Sequence, residues 1–368
     1  MKNTPLRFAL VGCGRIAPKH VDTLTGGAVP GGKLVAVCDE KFERAEAIAG
    51  KHPGVKAFRS YREMLESMGG EIDVVTILTP SGLHARHTVE IAKFHKHIVV
   101  EKPMALTLSD ADTMVQACDA AGVRLFVVKQ NRYNQPVKKL RQALEAGRFG
   151  KLVMGTVRVR WCRTQKYYDQ DSWRGTWAYD GGVFANQASH HVDLLQWMMG
   201  DVESVFAKTS TALVNIETED TGVVILRFKN GALGIIEATT ATRPKDLEGS
   251  ISILGENGSV EIGGFAVNEM KVWNFTDAGA EDADVVKKFS VMPPNVYGFG
   301  HTEYLNKVVE SIREGRAALV DGLEGRKSLE LISAIYESVE TGKEVFLRFV
   351  PKKCRLGLLP PGSREQEI

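Results

Sequence analysis

Short apolar runs alternate with amphipathic segments along the first third of this 368-residue chain. The runs are four or five residues long and nearly free of polar positions, as in parallel strands that are buried on both faces. The segments between them carry apolar residues at helical spacing. Strands are predicted at residues 8–11, 34–38, 74–78, 97–100 and 125–128, and helices at residues 43–49, 61–67, 84–94 and 109–121. This alternation predicts a doubly wound parallel sheet.

The pattern changes after Pro136, where a predicted helix at residues 136–146 precedes longer strand-like runs. Two Asn-Gly pairs, at residues 230–231 and 257–258, separate neighbouring runs and are typical of hairpin turns. The runs lie at residues 152–161, 202–213, 221–228, 232–238, 250–254 and 259–262, and two late helices are predicted at residues 301–314 and 326–341. We therefore expect an antiparallel sheet with both late helices covering one of its faces.

The first strand leads directly into a glycine motif, Gly12-x-Gly14-x-x-Ala17. Gly12 permits a tight turn, Gly14 lets the backbone approach a diphosphate, and the small Ala17 allows the following helix to pack against the strand. Amides at the helix N-terminus would face the anion. The motif predicts a dinucleotide site, and Arg15 and Ile16 belong to the same turn.

The second strand ends at Asp39, 25 residues after Gly14. A carboxylate at this place accepts hydrogen bonds from the ribose hydroxyls of NAD and repels the 2′-phosphate of NADP. Glu40 adds a further negative charge. Arg44 is a nearby cation, but we interpret it as a solvated residue of the next helix. The predicted cofactor is NAD.

Composition and charge exclude several classes of function. The formal net charge is +2 and no basic run is present, so nothing favours a nucleic-acid partner. No apolar stretch reaches the ~18 residues of a membrane span and no secretory leader precedes the first strand, so we expect no membrane partner and a cytoplasmic location. The five cysteines never have C-x-x-C spacing, and His84 and His87 have no third ligand nearby. Neither a disulfide framework nor a metal site is predicted.

Candidate catalytic residues occur in both halves. Lys102, in Glu101-Lys102-Pro103, follows a strand at the carboxyl edge of the parallel sheet, where it would face the nicotinamide. One strand earlier, the segment at residues 79–84 marks the same edge and would form a wall beside the nicotinamide ribose. In the second half, Asn186 and His190 are four residues apart and would share one face of a helix. A histidine with a pKa of about 6.5 suits removal of a hydroxyl proton during hydride transfer.

These motifs, together with Gly181-Gly182 and Asp193, resemble those of the glucose-fructose oxidoreductase/inositol dehydrogenase/MocA (Gfo/Idh/MocA) family over nearly the whole chain. The resemblance implies a Rossmann domain followed by an open-faced antiparallel sheet, oxidation of sugar or cyclitol hydroxyls, and dimers or tetramers formed through the sheets. It also implies that Lys102 and His190 are the catalytic pair. Many members have aspartate where this chain has Asn186, so a carboxylate that orients the proton relay is expected to be absent, and Asn186 would position a substrate hydroxyl.

A narrower resemblance concerns the segments at residues 128–132, 165–169, 173–177, 186–190 and 295–301. They are similar to those of bacterial UDP-N-acetylglucosaminuronate 3-dehydrogenases, which begin the route to diacetamido uronic acids of lipopolysaccharide. The loop at residues 163–179 offers cations and aromatic rings that suit a uronate carboxylate and a sugar or uracil ring. The predicted substrate-binding residues are Lys102, Asn131, Arg163, Lys166, Tyr168, Trp173, Arg174, Asn186, His190 and Tyr297. Lys129 and Arg132 are the next candidates for the carboxylate.

The combined prediction is NAD-dependent oxidation of the C3 hydroxyl of UDP-2-acetamido-2-deoxy-D-glucuronate. The predicted cofactor-binding residues are Gly12, Gly14, Arg15, Ile16, Ala17, Asp39, Thr79, Pro80, His84, Glu101, Lys102 and Asn131. We divide the chain into a NAD-binding Rossmann domain at residues 1–130, a substrate-binding and oligomerisation domain at 131–350, and a C-terminal tail at 351–368.

Two other functions remain open from the sequence. One is a free-sugar or inositol dehydrogenase, and the other is a non-catalytic NAD sensor. The residues also leave open which of Lys102 and His190 is the base, whether 2-oxoglutarate recycles NADH in place, and whether the homo-oligomer is a dimer or a tetramer.

Overall fold

The computed structural model describes residues 4–290 and 300–347 and contains two sheets. The first has six parallel strands in the order β3-β2-β1-β4-β5-β6. Its elements, in chain order, are β1 (Leu6–Val11), α1 (Ala17–Thr25), β2 (Gly32–Cys38), α2 (Phe42–Ala49), β3 (Lys56–Phe58), α3 (Tyr61–Met68), β4 (Val74–Ile77), α4 (His84–Ala92), β5 (His97–Val100), α5 (Leu108–Ala120) and β6 (Leu125–Val127).

The predicted doubly wound parallel sheet is confirmed, and the strands that the apolar runs predict are all present. The four residues of β4 are all buried, and separate apolar cores lie on the two faces of the sheet. The sequence did not predict β3, because this three-residue edge strand begins with the exposed Lys56 and carries no apolar run.

The second sheet has eight strands in the order β13-β12-β11-β7-β10-β9-β8-β14. The remaining elements, in chain order, are α6 (Gln135–Glu145), β7 (Leu152–Arg160), α7 (Gln165–Tyr168), α8 (Ser189–Met199), β8 (Val202–Ser210), β9 (Thr221–Phe228), β10 (Leu233–Thr239), β11 (Glu248–Gly255), β12 (Gly258–Gly263), β13 (Glu269–Phe275), α9 (Val285–Lys288), α10 (Gly300–Glu314), α11 (Gly322–Thr341) and β14 (Val345–Phe346). Both Asn-Gly pairs join antiparallel neighbours, as predicted.

One pair of strands departs from the expected antiparallel arrangement. Strands β7 and β10 are parallel, with Leu233 opposite Met154 and Thr239 opposite Arg160. Parallel pairing needs a long crossover, and the segment between β7 and β10 supplies it with two helices and two further strands. The sheet is therefore mostly, but not entirely, antiparallel.

The late helices pack in different places. Helix α11 lies against β8 and α8 on the second sheet. By contrast, Tyr304, Leu305 and Val308 of α10 belong to the apolar core that contains β1 and β2. The prediction that both late helices cover the second sheet is therefore wrong for α10. No described helix has the length and apolar character needed to cross a bilayer.

One face of the second sheet is left open among the described residues. Residues of β9 alternate between buried and exposed, so that Val223 and Ile225 present their side chains outward. The exposed Leu233 of β10 continues this apolar surface, and Arg160 pairs there with Glu237. We call this surface the open face.

Candidate active site

A cleft of about 740 Å³ lies at the carboxyl edge of the parallel sheet, between that edge and the loops around α7 and α8. It brings together most of the predicted site residues from both halves of the chain. Those lining it are Gly12, Gly14, Arg15, Ile16, Asp39, Thr79, Pro80, His84, Glu101, Lys102, Arg163, Trp173, Arg174, Asn186 and His190. A single cleft therefore contains both the dinucleotide motif and the candidate catalytic groups.

Other predicted site residues lie elsewhere. Ala17 is fully buried in the core beside β1, Lys166 is exposed outside the cleft lining, and Tyr168 is buried with its hydroxyl 3.2 Å from Thr240 Oγ1. Asn131 is buried behind the cleft, and no described residue pairs with its amide oxygen. The predicted Tyr297 lies outside the described residues.

The turn after β1 has the geometry that a dinucleotide needs. Gly12 has a φ of +104°, and a Cβ there would lie 2.8 Å from the carbonyl carbon and oxygen of Leu78. Only glycine fits such a position. A Cβ at Gly14 would meet nothing within 4 Å, so the backbone at Gly14 is accessible to a diphosphate.

Asp39 is held firmly at the end of β2. Its Oδ2 accepts a hydrogen bond from the Cys13 amide at 2.7 Å, and its Oδ1 accepts one from the Lys41 amide at 2.9 Å. Both oxygens keep lone pairs for further donors. Asp39 lines the cleft beside the glycine turn, so the residues present fit the ribose and diphosphate of NAD.

Glu101 connects three elements below the cleft. Its Oε1 lies 2.9 Å from His20 Nε2 and 3.7 Å from His301 Nε2, and its Oε2 accepts a hydrogen bond from the Lys102 amide at 3.0 Å. Burial alone would raise the pKa of Glu101, but His20 and His301 outweigh it and hold the pKa well below the usual value. The three side chains are close enough to share a metal ion. We interpret them as a hydrogen-bonded unit that anchors the backbone of Lys102.

His84 joins the two loops at the carboxyl edge. Its Nδ1 lies 2.8 Å from the carbonyl oxygen of Pro103, and its Nε2 lies 2.9 Å from that of Thr79. Both ring nitrogens are thus engaged by the backbone. His84 therefore fixes the loops that follow β4 and β5 and lines the cleft with its ring.

Lys102 and Asn186 are in direct contact. The Lys102 ammonium donates to the backbone oxygen of Asn186 at 2.9 Å and to its Oδ1 at 3.2 Å. Burial lowers the pKa of Lys102, and Lys129 and Arg174 act in the same direction, against Glu101 and Asp180. Lys102 is therefore closer to releasing its proton than a lysine in water.

His190 lies on the first turn of α8, whereas Asn186 belongs to a single π-helical turn, Val183–Gln187, just before it. The two residues reach one cleft, although they do not share one regular helix. Burial lowers the pKa of His190 well below its usual value, reinforced by the charges of Lys102 and Lys129. His190 is therefore neutral near pH 7, and its surroundings disfavour the protonated ring.

Arginine side chains surround Tyr167. The sequence did not predict Tyr167 as a site residue and indicated the adjacent Tyr168 instead. Arg174 Nη1 and Gln187 Nε2 each donate to the Tyr167 hydroxyl at 3.0 Å. The guanidinium carbons of Arg15, Arg163 and Arg174 lie 5.4, 5.5 and 4.8 Å from the centre of its ring. We call these five residues the cationic corner.

Two arginines of the cationic corner have carboxylate partners within the chain. Arg163 pairs with Asp246 at 2.9 Å and Arg174 with Asp171 at 3.1 Å. The side chains of Arg163 and Arg174 are only 12% and 8% exposed. Both guanidinium groups are therefore oriented before any ligand arrives.

Lys129 and Arg132, the alternative cations for a substrate carboxylate, do not line the cleft. Arg132 contacts both oxygens of Asp193 at 2.8 Å, and Lys129 donates to Ser328 Oγ at 2.7 Å and lies 3.5 Å from Asp193 Oδ1. Arg132 also pairs with Glu324 at 2.9 Å. These residues form a buried ionic network that ties α8 to α11.

The position of Asp180 shows that one expectation about the proton relay is wrong. The sequence indicated that no carboxylate would stand beside the asparagine, yet Asp180 Oδ1 accepts a hydrogen bond from Asn186 Nδ2. Nothing in the local pattern of residues 169–181 distinguishes Asp180 from Asp169 and Asp171. Further cleft residues that the sequence analysis did not assign are Lys41, Arg59, Tyr61, His87, Gln130, Trp161, Tyr167, Asp171 and Gln187.

Comparison with known proteins identifies the family. The model of an oxidoreductase family's NAD-binding Rossmann fold matches residues 6–129, and that of the family's C-terminal alpha/beta domain matches residues 141–347. The chain belongs to the Gfo/Idh/MocA oxidoreductase family. The expected family and its NAD-binding fold are thereby confirmed.

Within the Gfo/Idh/MocA family, two solved relatives cover nearly the whole chain. The WlbA dehydrogenase from Bordetella pertussis, in complex with NADH and UDP-GlcNAcA, is 43% identical, with a TM-score of 0.87 over 95% of this chain and 100% of its own. The WlbA dehydrogenase from Chromobacterium violaceum, in complex with the same two ligands, is 44% identical, with a TM-score of 0.89 over 95% of this chain and 98% of its own. Myo-inositol 2-dehydrogenase of Thermotoga maritima is 29% identical over 352 residues, 94% of this chain and 99% of its own.

Proposed function

We propose that this chain oxidises the C3 hydroxyl of UDP-N-acetylglucosaminuronate with NAD. The observation that carries the proposal is the meeting, in one cleft, of the Lys102, Asn186 and His190 cluster with the arginines of the cationic corner. The first group suits a sugar hydroxyl, and the second suits the carboxylate of a uronic acid. Likeness to two dehydrogenases solved with NADH and UDP-GlcNAcA supports the same substrate.

In this proposal NAD supplies the acceptor for the hydride that leaves C3. Asn186 orients the hydroxyl, and the hydroxyl proton passes to the pair formed by Lys102 and His190. His190 is neutral at neutral pH, so a ring nitrogen is open to the proton, although its lowered pKa makes it a weak base. Lys102 donates a hydrogen bond to the oxygen as negative charge develops on it. We also propose Asn131 as a ligand contact, because its buried amide oxygen pairs with no described residue, although its side chain lies behind the cleft lining.

The wider setting follows from the substrate. A 3-keto nucleotide sugar would be an early intermediate in making lipopolysaccharide, and we place the enzyme in the cytoplasm with such intermediates. We also propose a homo-oligomer, dimer or tetramer, in which a second copy covers the open face. Sedimentation of wild-type protein tests the oligomer, and a monomer at micromolar concentration would rule it out.

NADH formation with a small panel of alcohols tests the reaction itself. We expect turnover with UDP-N-acetylglucosaminuronate and NAD, and none with myo-inositol. Turnover of myo-inositol alone would favour the inositol dehydrogenase function. Binding of NAD without turnover of any sugar would favour the NAD sensor.

The cofactor preference depends on Asp39. We expect a much higher kcat/KM with NAD than with NADP, because the Asp39 carboxylate repels a 2′-phosphate and accepts from a 2′-hydroxyl. Asp39→Ala should narrow the difference in kcat/KM between the two cofactors by losing both effects. Asp39→Asn removes the charge and keeps one acceptor oxygen, but its NH₂ group replaces one of the two oxygens that accept from the Cys13 and Lys41 amides. Steady-state kinetics with both cofactors measures this, and an equal or better kcat/KM of the wild type with NADP would contradict it.

The cationic corner sets an expectation for substrate choice. UDP-N-acetylglucosamine lacks the carboxylate, and an unmet charge-assisted contact of about 1.5–3 kcal/mol lowers kcat/KM roughly tenfold to hundredfold. Arg163→Gln and Arg174→Gln should each be assayed for loss of this preference for the acid. The matched control is Arg141→Gln, since Arg141 pairs with Glu145 on the surface of α6. Equal rates of the wild type on the two sugars would reject carboxylate recognition.

A further inference from the structure

A buried carboxylate stands behind the catalytic cluster. Asp180 is 2% exposed, and it follows the loop that carries the cationic corner. Its Oδ2 accepts a hydrogen bond from the Gly175 amide at 2.7 Å, and its Oδ1 accepts one from Asn186 Nδ2. Asp180 does not line the cleft. Its hydrogen-bonded connection to the reacting groups runs through Asn186, and its charge also acts on Lys102.

The carboxylate decides which way the Asn186 amide points. An ionised carboxylate only accepts hydrogen bonds, so the atom of Asn186 that faces Asp180 must be the NH₂ group. The other end of the amide, Oδ1, is then turned toward Lys102 Nζ at 3.2 Å. The donor and acceptor chemistry of the two side chains therefore fixes this orientation of the amide.

The same carboxylate also acts on the charge of Lys102. The groups that face Lys102 are Glu101, Lys129, Arg174, Asp180 and His190. Glu101 and Asp180 favour the protonated lysine, whereas Lys129 and Arg174 disfavour it. The groups that face Asp180 are Lys102, Arg174 and Tyr168. Burial raises the pKa of Asp180, and the hydrogen bonds from Gly175 and Asn186 together with the two cations offset only part of the rise. Loss of the negative charge at Asp180 would leave Lys102 among mostly positive neighbours.

We propose that Asp180 is a positioning residue that supplies, through Asn186, the carboxylate that the catalytic cluster lacks at position 186. It holds the amide so that Asn186 Oδ1 accepts from Lys102, and it balances the positive charge around the lysine. This inference rests on the proposed role of Lys102 in proton transfer. The series is Asp180, Asn186 and Lys102, and the Asn186 side chain forms one hydrogen bond with each of the other two.

Asp180→Asn is the decisive variant because it keeps the shape and removes the charge. The new amide has only one acceptor oxygen for two donors, the Gly175 amide and Asn186 Nδ2. If its oxygen faces Gly175, its NH₂ group meets that of Asn186 and turns Oδ1 away from Lys102. Misplacement of a catalytic group costs up to about 10²-fold in rate, so we expect kcat to fall roughly tenfold to hundredfold.

The pH dependence of kcat distinguishes a positioning role of Asp180 from a purely structural one. Without the negative charge at Asp180 the pKa of Lys102 falls, so the limb of the kcat profile that reports Lys102 should move toward acid, whichever protonation state is active. Asp169→Asn is the matched control, because Asp169 is exposed in the same loop and its side chain accepts a hydrogen bond from Gln165. An unshifted limb together with near-wild-type kcat in Asp180→Asn would overturn the proposal.

An exchange of the two side chains offers a rescue. Asn186→Asp alone places two carboxylates against each other and should be impaired. The double variant, Asp180→Asn with Asn186→Asp, restores one carboxylate and one amide, with the charge now next to Lys102. We expect its kcat to exceed that of both single variants, and a double variant as poor as the worse single one would contradict the series.

A readout without substrate keeps this test independent of the proposed function. Competitive acetylation of the NAD-free protein, followed by mass spectrometry of the peptide with Lys102, reports the pKa of this lysine directly. It should drop in Asp180→Asn and stay unchanged in Asp169→Asn. A drop in a protein that oxidises no nucleotide sugar would refute the proposed function and uphold the coupling, whereas no drop in an active enzyme would refute the coupling alone.

Discussion

Replacement of His190 with asparagine, or of Lys102 with alanine, should lower kcat by about 10²–10⁴-fold, the usual contribution of a general acid or base. Both side chains line the cleft, and neither takes part in the glycine turn or in the Asp39 contacts. Affinity for NAD should therefore stay close to that of the wild type. The measurements are steady-state kcat with UDP-N-acetylglucosaminuronate and the Kd for NADH by fluorescence.

Lys93→Ala is the control for this pair of variants, because Lys93 is exposed at the end of α4, away from the cleft. A variant of His190 or Lys102 that retained about a third or more of the wild-type kcat would remove that residue from proton transfer. A loss of NADH affinity as large as the loss of kcat would instead indicate a role in binding.

Replacement of Asp193 with alanine should destabilise the fold by about 3–5 kcal/mol, as expected when one partner of a buried ion pair is removed. Arg132 and Lys129, whose side chains are only 3% exposed, would then lose their buried counter-ion, and of the two only Arg132 would retain a described carboxylate partner, Glu324. Urea denaturation measures the change. The matched control is Asp201→Ala, because Asp201 forms an exposed pair with Lys229 and should cost no more than about 1 kcal/mol. Equal effects of the two variants would contradict the assigned role of the buried network.

The same network makes the free energy of unfolding depend on pH in the acidic range. Burial alone would raise the pKa of Asp193, but Arg132 and Lys129 outweigh it and lower the pKa from 3.8 to about 2. A depressed carboxyl pKa stabilises the fold above the unfolded value, and this contribution is lost as pH falls through the folded value. Stability should therefore decrease between about pH 4 and pH 2. Asp193→Asn should be less stable at pH 7 and show a smaller decrease over that interval.

Local patterns in the sequence were enough to predict the nucleotide half of the molecule. Strand β1, the turn at Gly12 and the carboxylate at Asp39 all belong to one strand–helix–strand unit that ends with β2, and each is marked by the residues next to it in sequence. The parallel pairing of β7 with β10 depends instead on residues about 80 positions apart in the chain, as in Leu233 opposite Met154. No local periodicity records such a choice.

Local sequence patterns also could not predict which individual side chains of the second half line the cleft. Tyr167 and Tyr168 are adjacent on one short helical turn, and their contacts, not their identities, decide which lines the cleft. Asp180 is one of several acids in its loop, and only the tertiary fold brings it to Asn186. The sequence could predict which types of residue the site needs. Which tyrosine or aspartate of the loop takes part depends on long-range packing.

The internal carboxylates at Asp171 and Asp246 have a consequence for how a charged ligand is chosen. An arginine that is free in solution loses about 0.5–1.5 kcal/mol of rotamer freedom when a ligand immobilises it. Arg163 and Arg174 are already immobilised by their own acids, so an incoming carboxylate does not bear that entropic penalty but must compete with an anion already present. A ligand without a negative charge cannot replace Asp171 or Asp246 as the partner of these arginines. We therefore expect the paired arginines to discriminate between ligands without binding any one ligand tightly. Because both arginines are largely buried, salt should weaken this discrimination less than it would for arginines exposed on the surface.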